Sequence, residues 1–259
     1  MKILKKIKNK LARQFARFFP KRNRYCVLCD KHLAKFLPYR SGKTCITLPR
    51  VLHVIGSDIA NFSCPWCGSH DRERHLYLYL KEMGLLEHLK SADVLHFAPE
   101  NKLSTLFQTH TSGRYVKADL FPTAEDIEKV DMTCMPFKDE SFDFLIANHV
   151  LEHVDEHIKA LSEIKRVLKK GGYCVLQTPY SEKLNTTFSD PGIDDENGRL
   201  FAYGQEDHVR LFGRDVFDVI SSVGLVPLVK QHVEVLSDYE PNRYGVNSEE
   251  PLFLFCRPV

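Results

Sequence analysis

Four of the eight cysteines fall into two C-x-x-C pairs, Cys26-Val-Leu-Cys29 and Cys64-Pro-Trp-Cys67, separated by 34 residues, with Gly68 directly after the second. A C-x-x-C turn presents two thiolates to one ion at about 2.3 Å, and two such turns complete the tetrahedron that zinc prefers. Gly68 suits the left-handed backbone these turns often need. Four protein thiolates leave no open position, so the expected metal is structural Zn2+ held by Cys26, Cys29, Cys64 and Cys67, stabilising a segment with few apolar residues. A redox pair and unliganded buried cysteines are the competing readings. Cys45, Cys134, Cys174 and Cys256 stand among apolar neighbours and read as small core residues, although Cys45 could substitute as a ligand.

The second group that could do chemistry lies in strand-end loops. From residue 92 onward, short apolar strands (93–97, 114–119, 142–148, 173–178) alternate with helical stretches (102–110, 124–129, 157–169, 214–223). Such β–α repeats predict a doubly wound α/β sheet, mostly parallel, with helices on both faces. Two further strands, 226–236 and 251–257, have no helical pattern between them and predict an antiparallel hairpin. Ligands bind such sheets beyond the carboxyl ends of the strands. His96, Ala98 and Glu100 follow the first strand, Asp119 and Leu120 end the second, Asp131 and Met132 lie in the next loop, and Asn148 and His149 end the fourth.

The strings Asp131…Met135-Pro136-Phe137…Ser141-Phe142-Asp143 and Val150-Leu151-Glu152-His153-Val154…Arg166-Val167-Leu168-Lys169-Lys170-Gly171-Gly172 resemble the class I methyltransferases of the type 11 kind, which depend on S-adenosylmethionine (SAM). The stretches 95–100 and 206–213 are similar to the subset that carries an N-terminal zinc-knuckle module. The resemblance spans 92–259. It implies a Rossmann-like seven-stranded sheet, with Asp119 accepting the ribose hydroxyls and Asp131 with the Met132 backbone holding the adenine. It also places Asn148 and His149 where methyl donor and acceptor meet. The first loop departs from the family: Ala98-Pro99-Glu100 replaces a glycine-rich turn and His96 stands where an acid is usual, so Glu100 becomes the expected partner of the SAM ammonium. For removal of an acceptor proton the candidates are His208 and His149, since imidazole titrates near neutral pH. For each acid and histidine the competing reading is structural: a strand-end acid, or a histidine paired to backbone.

Further out, the chain is expected to divide into a basic amphipathic helix (1–22), a zinc-knuckle module (23–71), a helical connector (72–91) and the catalytic domain (92–259). Ten of the 36 Lys and Arg precede Cys29 with no acid among them, leaving 26 bases against 34 acids elsewhere. A basic arm on an acidic body points to an anionic partner for the arm, here an anionic membrane surface reached through residues 1–20. Nucleic acid is the less favoured partner, because the body lacks the positive charge that an RNA cleft needs. No stretch reaches the ~20 apolar residues of a membrane span, and Lys and Arg interrupt the early apolar residues, so no signal-peptide core is expected. These features fit a cytoplasmic enzyme, peripheral on the inner membrane face, that methylates a small-molecule or glycan hydroxyl. An RNA methyltransferase and a non-catalytic zinc-dependent scaffold are the alternatives.

Overall fold

The computed structural model describes residues 2–18, 21–42 and 47–259. Cys45, Phe19 and Pro20 lie outside the described residues. Helix α1 (Lys2–Phe18) precedes a small hairpin, β1 (Arg24–Cys26) and β2 (Lys31–Leu33), paired antiparallel. After α2 (Leu48–Val51), the chain enters α3 (Asp71–Glu82) and α4 (Leu85–Leu89). His70 N–H bonds to Glu73, which anchors the first turn of α3. Gly84, at φ +71, takes the left-handed turn that separates the two helices.

The main sheet then forms. Its strands are β3 (Val94–Phe97), β4 (Tyr115–Asp119), β5 (Glu128–Lys129), β6 (Phe142–Ala147) and β7 (Leu168–Val175), with α5 (Asn101–His110) and α6 (His157–Val167) among them. A smaller pair follows, β8 (Tyr180–Ser181) and β9 (Phe212–Gly213), with α7 (Glu196–Tyr203) between and α8 (Val216–Ser221) after. The chain ends through β10 (Val226–Pro227), α9 (His232–Val235), α10 (Pro241–Tyr244) and β11 (Leu254–Cys256).

Seven strands line up as β10-β11-β7-β6-β3-β4-β5. The five from β7 to β5 are parallel, and β11 and β10 join antiparallel. This is the doubly wound Rossmann-like fold. Both faces are apolar because both are covered. One side packs Leu95, Leu145, Leu161 and Ile164; the other packs Leu76, Leu80, Val94, Phe144 and Ile146. Helix α3 therefore contributes to the same core as the central strands. At the amino ends of β3 and β6, Lys169 Nζ joins Asp93 at 2.9 Å and Asp143 at 2.8 Å. That puts Asp143 of the Ser141-Phe142-Asp143 string at the end of the sheet opposite the strand-end loops.

Three local expectations need correction. Residues 124–129 are not a helix: one turn forms, Ile127 N–H to Ala124 C=O, and Glu128–Lys129 then pair with Ala118–Asp119 of β4. The side chains from Leu120 to Glu125 are exposed, so a helix there would have no face to bury, whereas β4 offers an open edge. The tail strands do pair antiparallel, but α9 and α10 separate them; Pro227 lacks an N–H and β10 is correspondingly short. Cys134 is exposed rather than core, while Cys174 is buried and Cys256 partly so.

Arg74 ties the amino-terminal segment to the rest. It is fully buried, and its guanidinium donates to the carbonyls of Ser69, Asn61, Gly245 and Tyr244 while lying 4.0 Å above the Phe36 ring. Gly245 (φ +62) must be glycine at that point, since a Cβ would stand 2.4 Å from Phe36.

Candidate active site and metal centre

The four knuckle cysteines converge. Cys26 Sγ lies 3.8 Å from Cys67 Sγ, and Cys29 Sγ 3.9 Å from Cys64 Sγ. All four sulfurs fall within 4.8 Å of one another, and none is in a disulfide. Tetrahedral zinc with bonds of about 2.3 Å requires sulfurs about 3.8 Å apart, so the cluster has the right spacing. Hairpin β1–β2 carries the first knuckle, and Gly68, at φ +81, turns the second. The last turn of α1 caps this module: Arg17 donates to Pro65 C=O and stacks 4.4 Å over Trp66, and Ala34 and Lys35 N–H groups reach Ala16 C=O.

The second centre lies where the strand order reverses. From β3 the chain runs outward to β4 and β5, then returns to β6 on the other side, so the strand order reverses between β3 and β6, the point beyond whose carboxyl ends such sheets bind ligands. Ala98 and His149 stand there with φ of +45 and +59. Backbone this strained is uncommon outside glycine and clusters at functional sites. His96 is buried, with Nδ1 2.8 Å from the Tyr115 hydroxyl and Nε2 3.1 Å from Glu100. Asn148 Nδ2 donates to the other Glu100 oxygen at 2.7 Å. Burial pushes the Glu100 carboxyl up, but the contact with His96 and its charge outweigh that and hold it below its ordinary value. Glu100 is thus already spoken for by two protein side chains. The unfilled group is Asn148 Oδ1, buried and without a hydrogen-bond partner among the described residues.

Asp119 is half-buried at the end of β4 and accepts the Phe121 N–H at 2.8 Å, with Leu120 and Phe121 exposed beside it. Asp131 is exposed, and the hydroxyl and N–H of Thr133 hold it below its usual range, while Met132 is buried. The residues singled out in the loops after β3, β4 and β6 therefore stand at one end of the sheet.

His149 sits differently from expectation. It is buried between Glu152 (Nδ1 to Oε1, 3.4 Å) and Glu250 (Nε2 to Oε1, 3.2 Å), at ion-pair distance without hydrogen-bond alignment. Burial lowers its pKa, yet the two carboxylates prevail and raise it to about 9. A cation at neutral pH is a poor base. Glu250 also faces His75 at 3.4 Å, and His75 bonds His232 at 3.0 Å, so a buried chain of titratable groups runs from α3 and α9 to Glu152. Neither Glu152 nor Glu250 was singled out from sequence, although Glu152 lies inside the string that carries the resemblance. Thr178 holds Glu152 Oε2 at 2.9 Å. His208 is buried with Nδ1 on Tyr203 C=O at 3.1 Å, while its Nε2 has no partner among the described residues. Burial keeps the His208 imidazole below its ordinary pKa.

The family described as "Methyltransferase domain" matches residues 94–176, the stretch from β3 to just past β7. Over that stretch the chain is similar to the methyltransferase domains of this family. An uncharacterized protein of Methanocaldococcus jannaschii, MJ1123, is 50% identical over 42 residues, which cover 16% of this chain and 20% of that one. A demethylmenaquinone methyltransferase of Mycobacterium sp. (strain KMS) is 36% identical over 70 residues, 25% of this chain and 30% of that one. The chain thus spans between a fifth and a third of the curated relatives named here. Among solved structures, 1,6-didemethyltoxoflavin-N1-methyltransferase from Burkholderia thailandensis is 13% identical with a TM-score of 0.47, covering 73% of this chain and 87% of that one. The matched stretch begins after both knuckles, so the cysteine cluster lies outside it.

Proposed function

We propose that this protein is a SAM-dependent methyltransferase acting on a hydroxyl of a small molecule or carbohydrate, with structural zinc in its cysteine cluster. The observation that carries the reading is at the reversal point of the sheet, where Asn148 presents a buried, unfilled acceptor oxygen beside Glu100. A ligand ammonium is the kind of donor that fills such an acceptor. Asn148 and Glu100 would hold the methionine end of SAM, Asp119 its ribose, and Asp131 with Met132 its base. Glu100 would do so through the Asn148 pair rather than as the free carboxylate that the sequence suggested. SAM, when bound, supplies an electrophilic methyl group. What the chain's own residues supply is orientation, which is worth several kcal/mol when reacting atoms are held near contact. His149, raised to about 9 between Glu152 and Glu250, already holds its proton at neutral pH. Of the two histidines named from sequence, His208 keeps the lone pair that an acceptor hydroxyl requires.

The test is calorimetric titration of the full chain with S-adenosylhomocysteine, alongside Asp119→Ala. Binding that Asp119→Ala weakens by about tenfold or more supports the reading, since a bidentate contact to two hydroxyls is lost. A folded, metal-loaded protein that gives no heat would instead point to a scaffold using the fold without its cofactor.

A further inference from the structure

Glu152, His153 and His208 each offer one ligand atom, and these atoms lie within 4.8 Å of one another. We infer that they form a second metal centre, distinct from the cysteine cluster, which takes a divalent first-row transition metal. Bonds of about 2.1 Å at the centre of such a triangle require each donor to move by at most about 0.7 Å, within reach of small side-chain rotations.

The orientation of each side chain supports a metal. His208 is 4% exposed, and its Nδ1 is committed to the Tyr203 carbonyl, leaving the Nε2 lone pair unpartnered. Glu152 is 1% exposed; Thr178 donates to one carboxylate oxygen, and the other has no hydrogen bond. His153 Nδ1 faces the Asp207 carbonyl at 3.3 Å and stands in edge contact with His208, ring centres 4.6 Å apart. Metal-binding imidazoles are ordinarily held in this way, one nitrogen on a carbonyl or carboxylate and the other toward the ion. Arg210 braces the turn that carries Glu152 and His153, donating to the carbonyls of Leu151, Val154 and Asp155.

Two imidazoles and a carboxylate are a donor set for manganese, iron, cobalt, nickel or zinc rather than magnesium or calcium. His149, 3.4 Å from the same Glu152 oxygen, is the competing cation, but its contact is not an aligned hydrogen bond. Three protein ligands leave open positions, and His153, a third exposed, puts them next to solvent. Those positions suit an oxygen ligand. That this oxygen belongs to a methyl acceptor rests on the reading above; the metal centre does not. With an ion bound, the His208 lone pair is used for coordination, and the metal takes over the polarisation of the hydroxyl.

Cobalt(II) titration of the zinc-loaded full chain tests this, read by visible absorption. Binding of about one equivalent without a thiolate-to-cobalt band is expected, with affinity reduced at least about a hundredfold in His153→Gln and His208→Gln and about tenfold in Thr178→Val. His153→Gln alters a partly exposed side chain and so controls for misfolding of the His208 variant. Cobalt that binds only with a thiolate band, or that binds His153→Gln as tightly as the parent, overturns the proposal. S-adenosylhomocysteine binding, measured on the same samples, separates this failure from failure of the methyltransferase reading.

Discussion

Asn148 donates to Glu100 across the reversal point of the sheet at 2.7 Å, joining the loop after β6 to the loop after β3. Two strands that are adjacent in space but 48 residues apart in sequence are thereby joined beyond their carboxyl ends. Asn148→Leu keeps the shape and removes both the donor and the unfilled oxygen. Loss of a hydrogen bond to a buried charge costs roughly 1.5–3 kcal/mol, so urea unfolding should shift by that amount. S-adenosylhomocysteine affinity should fall at least about tenfold; unchanged affinity would remove Asn148 from the site.

Arg74 is the buried cation that holds five backbone carbonyls of two segments together. Arg74→Met leaves those carbonyls without donors and is expected to cost about 3–5 kcal/mol. The loss should appear as a lower urea midpoint. A change below about 1 kcal/mol would show that water takes over these bonds.

Removing zinc should loosen the amino-terminal module before the sheet. A Cys64→Ser chain, analysed by mass spectrometry for bound metal, should retain far less zinc, because a hydroxyl is a poor substitute for a thiolate. Trp66, the chain's only tryptophan, lies under Arg17 and meets Phe18 edge to face beside the knuckles, so its fluorescence should report the loss. Full zinc content in the variant would contradict a four-thiolate site.

Glu73 carries a pH dependence of definite sign. Burial, then the nearby Glu100 charge, raises its carboxyl from 4.5 to about 7. Between those values the folded state binds more protons than the unfolded one, so this group's contribution falls as pH rises from about 4.5 to about 7. Glu73→Gln should remove that slope and be the more stable form at pH 8 by on the order of 2–3 kcal/mol. Parallel stability–pH curves for the two chains would rule the assignment out.

The basic arm is proposed to meet an anionic surface. Its last turn is docked on the knuckles, yet Leu11 and Phe15 remain 60% and 52% exposed. No helix among the described residues is long and apolar enough to cross a membrane, so any attachment through α1 would be at the surface. Co-flotation with phosphatidylserine vesicles should depend on residues 1–20 and weaken in high salt, since each Lys or Arg near such a surface contributes about 1 kcal/mol. Equal flotation of the shortened chain, or release of nucleic acid from the protein at high salt, would exclude the membrane role.

The cysteine knuckles and the alternation of strands with helices were legible in the residues because both are local patterns: a C-x-x-C turn spans four positions, and a strand announces itself by its own apolar run. The strand-end acids followed from that order. Residues 124–129 misled because their apolar spacing suits a helix while the open edge of β4 was the stronger attraction, and no local signal reports an edge. The buried polar groups were illegible for the same reason carried further. Glu250 meets His75 across 175 positions and Arg74 reaches Gly245 across 171, so only the folded chain could show that these charges had partners. Amino-acid type and short-range spacing determined which fold would form and at which edge the carboxyl ends of its strands would lie. Which side chains remain free at that edge was decided by tertiary contact, because burial cancels or strands a hydrogen-bonding atom according to neighbours brought from far along the chain.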